Sequence, residues 1–447
     1  MSKNLQNNLT EGNVPKTLIK YAIPMVATSL LQSLYSIIDM VVVGQFVGSS
    51  AISAINNGTL IMGLLTQIAI GLTIGGNILI GQYFGAKNEK ESKAAAGTLF
   101  TFFALVSIVT SIVFFFSARY LLILLDAPSL EEATTYLKIC SFGIFFIFGY
   151  NALSAILRAV GNSKKPLHFI FASTSVNIAL DFLFVAYFDM GVAGAALATC
   201  LAQGVSFTLA LLYVLKHRAT LGFERQYLKV EFAKVRMILR YGFPIALQGM
   251  VASISWLVVA FLINQYGVDV SAANGVSNKI KEFCQLFIAA TTSAAATMAA
   301  QNIGAGKYDR AKEIMFTCLK ITLTVAFTMI IIVQLTAPFL ISIFTSEPVV
   351  AEHAILNLRI EILAQVFYAG FQTFNILATG AGDTMFVMAN SFLNCIVVRL
   401  VLAIILESLL GNIGIYIACM IAPSSSVPVG YWYYRSNKWR KKAISVS

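Results

Sequence analysis

Two aspartates carry the chemistry this sequence suggests. Asp39 lies near the far end of an apolar run, Ile19–Gly44, that reads IKYAIPMVATSLLQSLYSIIDMVVVG and contains Pro24. As a helix the run covers roughly 38 Å, more than the ~30 Å hydrocarbon core of a bilayer, so Asp39 falls inside a membrane span. Thr28, Gln32, Tyr35 and Asp39 recur at helical spacing and form one polar stripe that lipid does not tolerate. Asp181 is the second intramembrane acid, and Asn177 sits one turn before it on the same helical face. Thr199 lies on the following span. Two carboxylates, an amide and a hydroxyl supply the hard oxygen ligands a sodium ion accepts, and equally a carboxylate pair that can hold a proton. Taken singly, each polar group could be an interhelical hydrogen-bonding residue worth about 0.6 kcal/mol. As a set they read as a cation or proton site.

The elements that must position these residues are membrane helices. The 447 residues are 58% hydrophobic and only 11% charged, with mean hydropathy +0.80, whereas a soluble domain carries about 25% charged residues. The chain reads as an all-α, polytopic membrane protein. Apolar runs broken by Gly, Pro and charge clusters predict twelve transmembrane helices, near 18–43, 52–81, 94–118, 133–158, 167–188, 192–215, 237–263, 275–301, 312–335, 355–379, 386–406 and 413–434. The opening residues are polar and precede a span rather than a cleavage site, so no signal peptide is expected. If both termini are cytoplasmic, 24 of the 31 Lys and Arg fall in the termini and cytoplasmic loops, while the opposite loops carry Asp126, Glu131, Glu132, Asp189, Asp269, Glu347 and Glu352. The positive-inside rule therefore places both termini in the cytoplasm of a cell whose inner (cell) membrane the protein crosses many times. The same rule explains the net charge of +11 without nucleic acid as a partner. Counted from the external ends of their helices, Asp39, Asp181 and Thr199 all lie within roughly 8–11 Å of the outer surface, at one level.

The chain also repeats itself at about 220 residues. IKYAIPM at 19 returns as LRYGFPI at 239, GQYFGAKNEKESK at 81 as AQNIGAGKYDRAK at 300, SAILRAVGNS at 154 as NILATGAGDT at 375, and GVAGAALAT at 191 as GNIGIYIAC at 411. An even number of helices per repeat gives both halves the same orientation, so the expectation is two pseudo-symmetric six-helix bundles related by an axis along the membrane normal. The boundaries expected are 1–216 for the first lobe, 217–236 for a cytoplasmic linker, and 237–447 for the second lobe with its basic tail. Such a duplicated plan is common among transporters, with substrate near the midplane.

The Pro24-containing helix ending in IIDMVVVGQFVG, the loops GQYFGAKNEKESK and LRAVGNSKKP, and the segments NIALDFLF and GVAGAALAT together resemble the multidrug and toxic compound extrusion (MATE) family, over almost the whole chain. The resemblance implies two lobes in a V around a central cavity. It also implies an antiporter that exports cationic, lipophilic drugs or toxic compounds in exchange for protons or sodium ions, so small organic cations and the bilayer are the expected partners. Asp39, Asn177, Asp181 and Thr199 match that family's cation site in the N-terminal lobe, and a bend of the first helix, here at Pro24, accompanies cation binding in the family. Neither a cofactor nor a metal beyond sodium at that site is expected, and a monomer is expected to suffice. The alternative is a flippase for a lipid-linked saccharide of the same superfamily, which would call for more helices and a strongly basic cavity. No HExxH, GxSxG or DxD pattern lies in a helix, so an enzyme is not expected.

The second repeat serves as an internal control. Asp39 pairs with Val259, Asp181 with Val398 and Thr199 with Cys419, while Asn177 keeps its partner Asn394. Some branches of the family carry a glutamate on helix seven and an aspartate on helix ten. Here residues 237–263 contain no acid and helix ten has only Glu361, so no second ion site is expected in the C-terminal lobe. Lys279, Lys281 and Glu282 on helix eight and Arg399 on helix eleven are instead candidates for lining the cavity or for coupling, or for structural pairing at i,i+3. Gln32 and Tyr35, on the Asp39 stripe, are candidates for substrate contact. The six cysteines and three histidines are scattered and show no metal-ligand spacing.

Overall fold

The computed structural model describes residues 7–47, 49–124 and 129–442, and Asp126 lies outside them. All regular structure among these residues is helical. In chain order the long elements are α1 (Val14–Phe46), α2 (Ser49–Gly85), α3 (Glu89–Leu124), α4 (Leu130–Ala159), α5 (Lys164–Asp181, continued by a π-helical turn Phe182–Tyr187), α6 (Gly191–Lys216), α7 (Phe232–Asn264), α8 (Val268–Gly304) and α9 (Tyr308–Ser342). The tenth span, α10, consists of Pro348–Glu361 and Ala364–Ala381, bent by 41°. The eleventh, α11, runs over Thr384–Leu410 with a π-helical turn at Leu393–Val398, and α12 over Asn412–Ser436. With the bent pair taken as one span, twelve helices are long and apolar enough to cross a membrane.

Most helices run past the apolar windows that predict them. α3 begins at Glu89 rather than 94, because Asn88 Oδ1 accepts the backbone N–H of Glu91 and two glutamates sit in the first turn, where the helix dipole favours them. Asn13 caps α1 and Asn162 caps α5 in the same way, through the N–H groups of Lys16 and Lys165. These turns carry charge, so hydropathy does not see them.

The chain forms two compact units. The first comprises residues 1–8 and 27–246, the second 9–26 and 247–447. The boundaries fall inside α1 and α7, two and three residues after Pro24 and Pro244, whose rings remove a backbone hydrogen bond from each helix. In the first unit α4 packs against α2, α3 and α6 and is the most enclosed span. The N-terminal half of α7 lies in this unit so close to α2 that a Cβ on Gly71 would come within 2.4 Å of the Ala246 backbone, and one on Gly75 within 2.5 Å of the Ile238 carbonyl. Only glycine permits that approach. In the second unit the N-terminal half of α1 has the matching role: Leu18, Tyr21, Ala22 and Met25 are buried with Ala290, Ala294 and Ala295 of α8, where alanines supply the small surface.

Candidate functional site

The C-terminal end of α1 is fixed by its valines. Val42 and Val43 are buried with Tyr136, Leu137 and Cys140 of α4 and Val192, Ala195 and Ala196 of α6. Asp39 precedes Val43 by four residues and so lies on the same helical face, directed into the first unit. It is half-buried, and its Oδ1 has neither solvent nor a hydrogen-bond partner. One turn earlier, the Tyr35 hydroxyl donates to Thr199 Oγ1 on α6 at 3.1 Å. From α5, Asn177 and Asp181 are 1% and 0% exposed. Both carboxylate oxygens of Asp181 and both side-chain polar atoms of Asn177 are buried without a partner. The charges of Asp39 and Asp181 act on one another and on the Tyr35 hydroxyl.

The first unit thus brings Tyr35, Asp39, Asp181 and Thr199 into one neighbourhood, with Asn177 one turn from Asp181 on α5. Directly after Asp181 the helix widens into its π-helical turn, a feature frequent at functional sites. Two residues that the sequence reading did not single out join the group. Tyr136 and Cys140, four residues apart on α4, face Asp39, and the Tyr136 hydroxyl meets Thr59 Oγ1 at 3.4 Å. Their i,i+4 spacing at the depth of Asp39 was the available signal. Of the remaining candidates in this unit's stripe, Gln32 is exposed. Pro24 belongs to the second unit, where it is buried in the N-terminal half of α1.

Chemically the arrangement is rich in oxygen acceptors and carries two carboxylates, with the Tyr35 hydroxyl and the Asn177 amide as its neutral donors. Two carboxylates in a low-dielectric site cannot both stay ionised unless a cation is shared or a proton taken up. Asp39, Asp181, Asn177 and Thr199 offer oxygen atoms for either guest, and among the described residues no basic side chain pairs with either acid.

The second unit is built differently. On α8, Lys279 and Glu282 are exposed and pair with each other at 3.7 Å, the i,i+3 structural pairing. Lys281 points inward instead and forms a buried salt bridge with Glu361, at the break of α10. Arg399 on α11 is buried over the Trp256 ring, 4.4 Å from its centroid. Val259 and Cys419, the repeat partners of Asp39 and Thr199, lie in a buried apolar cluster with Ile263, Ile415 and Tyr416.

Comparisons with known proteins agree on the family. The MatE family profile matches residues 24–183 and again 244–405, once in each repeat. The chain is 28% identical over 447 residues to the "Probable multidrug resistance protein YoeA" of Bacillus subtilis, covering 98% of this chain and 96% of that one. It is 25% identical over 416 residues to the "Multidrug export protein MepA" of Staphylococcus saprophyticus, covering 92% of this chain and 91% of the other. In fold it is similar to an outward-facing multidrug resistance MATE family transporter of the MOP superfamily, with a TM-score of 0.93 at 20% identity over 99% of this chain and all of the other. The chain is an integral, multi-pass membrane protein and belongs to the MATE family of transporters, not to the enzymes.

Proposed function

We propose that this protein exports cationic, lipophilic compounds in exchange for protons or sodium ions, and that Asp39, Asn177, Asp181 and Thr199 bind the coupling cation. The observation that carries the reading is the pair of intramembrane carboxylates with no internal counter-charge, beside an amide with no partner. A resident cation or proton offsets one of the two negative charges, and its departure restores the full negative charge, which favours an organic cation nearby. Binding of the two is then mutually exclusive in the electrostatic sense, which is what exchange requires. Multidrug relatives over nearly the full length support the class of substrate. The basic cytoplasmic loops support an orientation in the cell membrane with both termini inside. A single chain contains both repeats, so a monomer is the proposed unit.

The test is ethidium efflux from vesicles containing the purified protein, with the sodium gradient and the proton gradient imposed separately. Efflux driven by at least one gradient supports antiport and identifies the ion. Efflux indifferent to both overturns it.

A further inference from the structure

Among the described residues of the second unit, three Lys, Arg, Asp or Glu side chains are buried: Lys281 at 5% exposure, Glu361 at 3% and Arg399 at 6%. Lys281 and Glu361 neutralise each other, and the C-terminal end of the half-helix Pro348–Glu361 further favours the lysine. That leaves Arg399 as one positive charge in excess. Among the described residues no carboxylate pairs with it. Its Nη1 donates to Ser255 Oγ at a long 3.4 Å, and that hydroxyl already gives its own proton to the Cys395 carbonyl. Its Nε is buried with no hydrogen-bond partner among the described residues. The indole of Trp256 lies against both cations, 4.4 Å from the Arg399 guanidinium carbon and 5.5 Å from Lys281 Nζ. A cation–π contact offsets only part of the cost of burying an uncompensated ion. A counter-charge is missing.

We propose that Arg399, backed by Lys281 and framed by Trp256 and Ser255, is a binding site for a small monovalent anion, either a carboxylate group or a halide. One guest charge balances the one excess charge of the cluster. The free Nε and a neighbouring guanidinium nitrogen form a planar fork that matches two carboxylate oxygens, and the indole gives a carboxylate-bearing ring an apolar wall. The site belongs wholly to the second unit and uses none of the residues proposed for the cation. A carboxylate would come from a solute that carries one, which would extend the range of compounds recognised to zwitterions. A halide would come from the medium and would be a fixed counter-ion.

The experiment follows the thermal unfolding midpoint of the purified full-length protein in chloride-free methanesulfonate at constant ionic strength, titrated with benzoate or with chloride. A ligand that binds only the folded state raises the midpoint in a saturable way. The expected result is such a rise in the wild type and in Asp39→Asn. In Arg399→Gln the midpoint without anion should be higher than wild type, because the uncompensated charge is gone, and the anion should have no effect. A response to benzoate alone assigns the site to carboxylate solutes, and a response to chloride alone assigns it to an inorganic counter-ion. Should Arg399→Gln not fold, Arg399→Lys keeps the charge and loses the fork, and its half-saturation for the responding anion should rise at least threefold. No saturable response to either anion in the wild type, or wild-type behaviour in the Arg399 variants, overturns the proposal.

Discussion

The two repeats bury charge of opposite sign in neighbouring but not identical positions. Where the first unit has Asp39 and Asp181 without a counter-ion, the second has Val259 and Val398, and beside them Arg399 with the Lys281–Glu361 pair. Each unit widens the fifth helix of its repeat by a π-helical turn, one directly after Asp181 and the other directly before Arg399. A duplicated backbone has therefore kept its irregularity and exchanged its chemistry. The geometry needed to expose polar groups inside a membrane helix is a property of the fold, while the sign of the site is set by a few side chains.

The largest effect expected from breaking this contrast is in the first unit. Asp39→Asn and Asp181→Asn should each reduce gradient-driven ethidium efflux to the level of vesicles without protein, with expression and elution profile unchanged, since the substitutions remove charge and leave volume. Near-normal efflux from either variant would contradict the assignment. Next, adding an acid to the second unit should not restore function. The double variant Asp39→Asn/Val259→Asp should stay inactive, because Val259 is packed among Ile263, Ile415 and Tyr416 without the partners that α5 and α6 give Asp39. Recovered efflux would mean that either unit can host the cation.

The buried salt bridge is expected to show itself in stability rather than transport. Glu361→Gln strands Lys281 beside Arg399 and should cost about 3–5 kcal/mol, whereas Lys281→Met combined with Glu361→Leu should be near neutral. Denaturant unfolding of the purified variants decides it, and a single variant as stable as the double would contradict the account. The smallest effect belongs to the exposed charges at the start of α4. Glu131, exposed and paired with Arg119, and Glu132 at the same helix start should tolerate glutamine with efflux within about twofold of wild type, as surface ion pairs contribute little.

How much of this was legible in the sequence follows from the physics of each element. Apolar length fixes the spans, and a carboxylate at helical spacing with Tyr35 inside one cannot face lipid, so both intramembrane acids stand out. Other features carry no such mark. The break of α10 falls at Ile362–Leu363, where no Pro or Gly announces it. The Lys281–Glu361 pair joins residues 80 apart, whereas spacing along one helix points to Lys279 and Glu282, the exposed pair. Tyr136 was hidden among ordinary core positions of α4, since a tyrosine in an apolar helix gains significance only from what faces it. Periodicity tells which face is polar; it does not tell which helix lies opposite.

The central claim is that the unpaired acids of the first unit couple a small cation to an organic one. The most direct measurement is the dissociation constant of a fluorescent organic cation on the purified protein, at pH 5 to 8 with and without sodium, in the wild type and in Asp39→Asn. The account predicts that the coupling ion weakens binding at least severalfold in the wild type, that the organic cation weakens binding of that ion by the same factor, and that Asp39→Asn loses the dependence. A wild-type affinity that responds to neither proton nor sodium would contradict it.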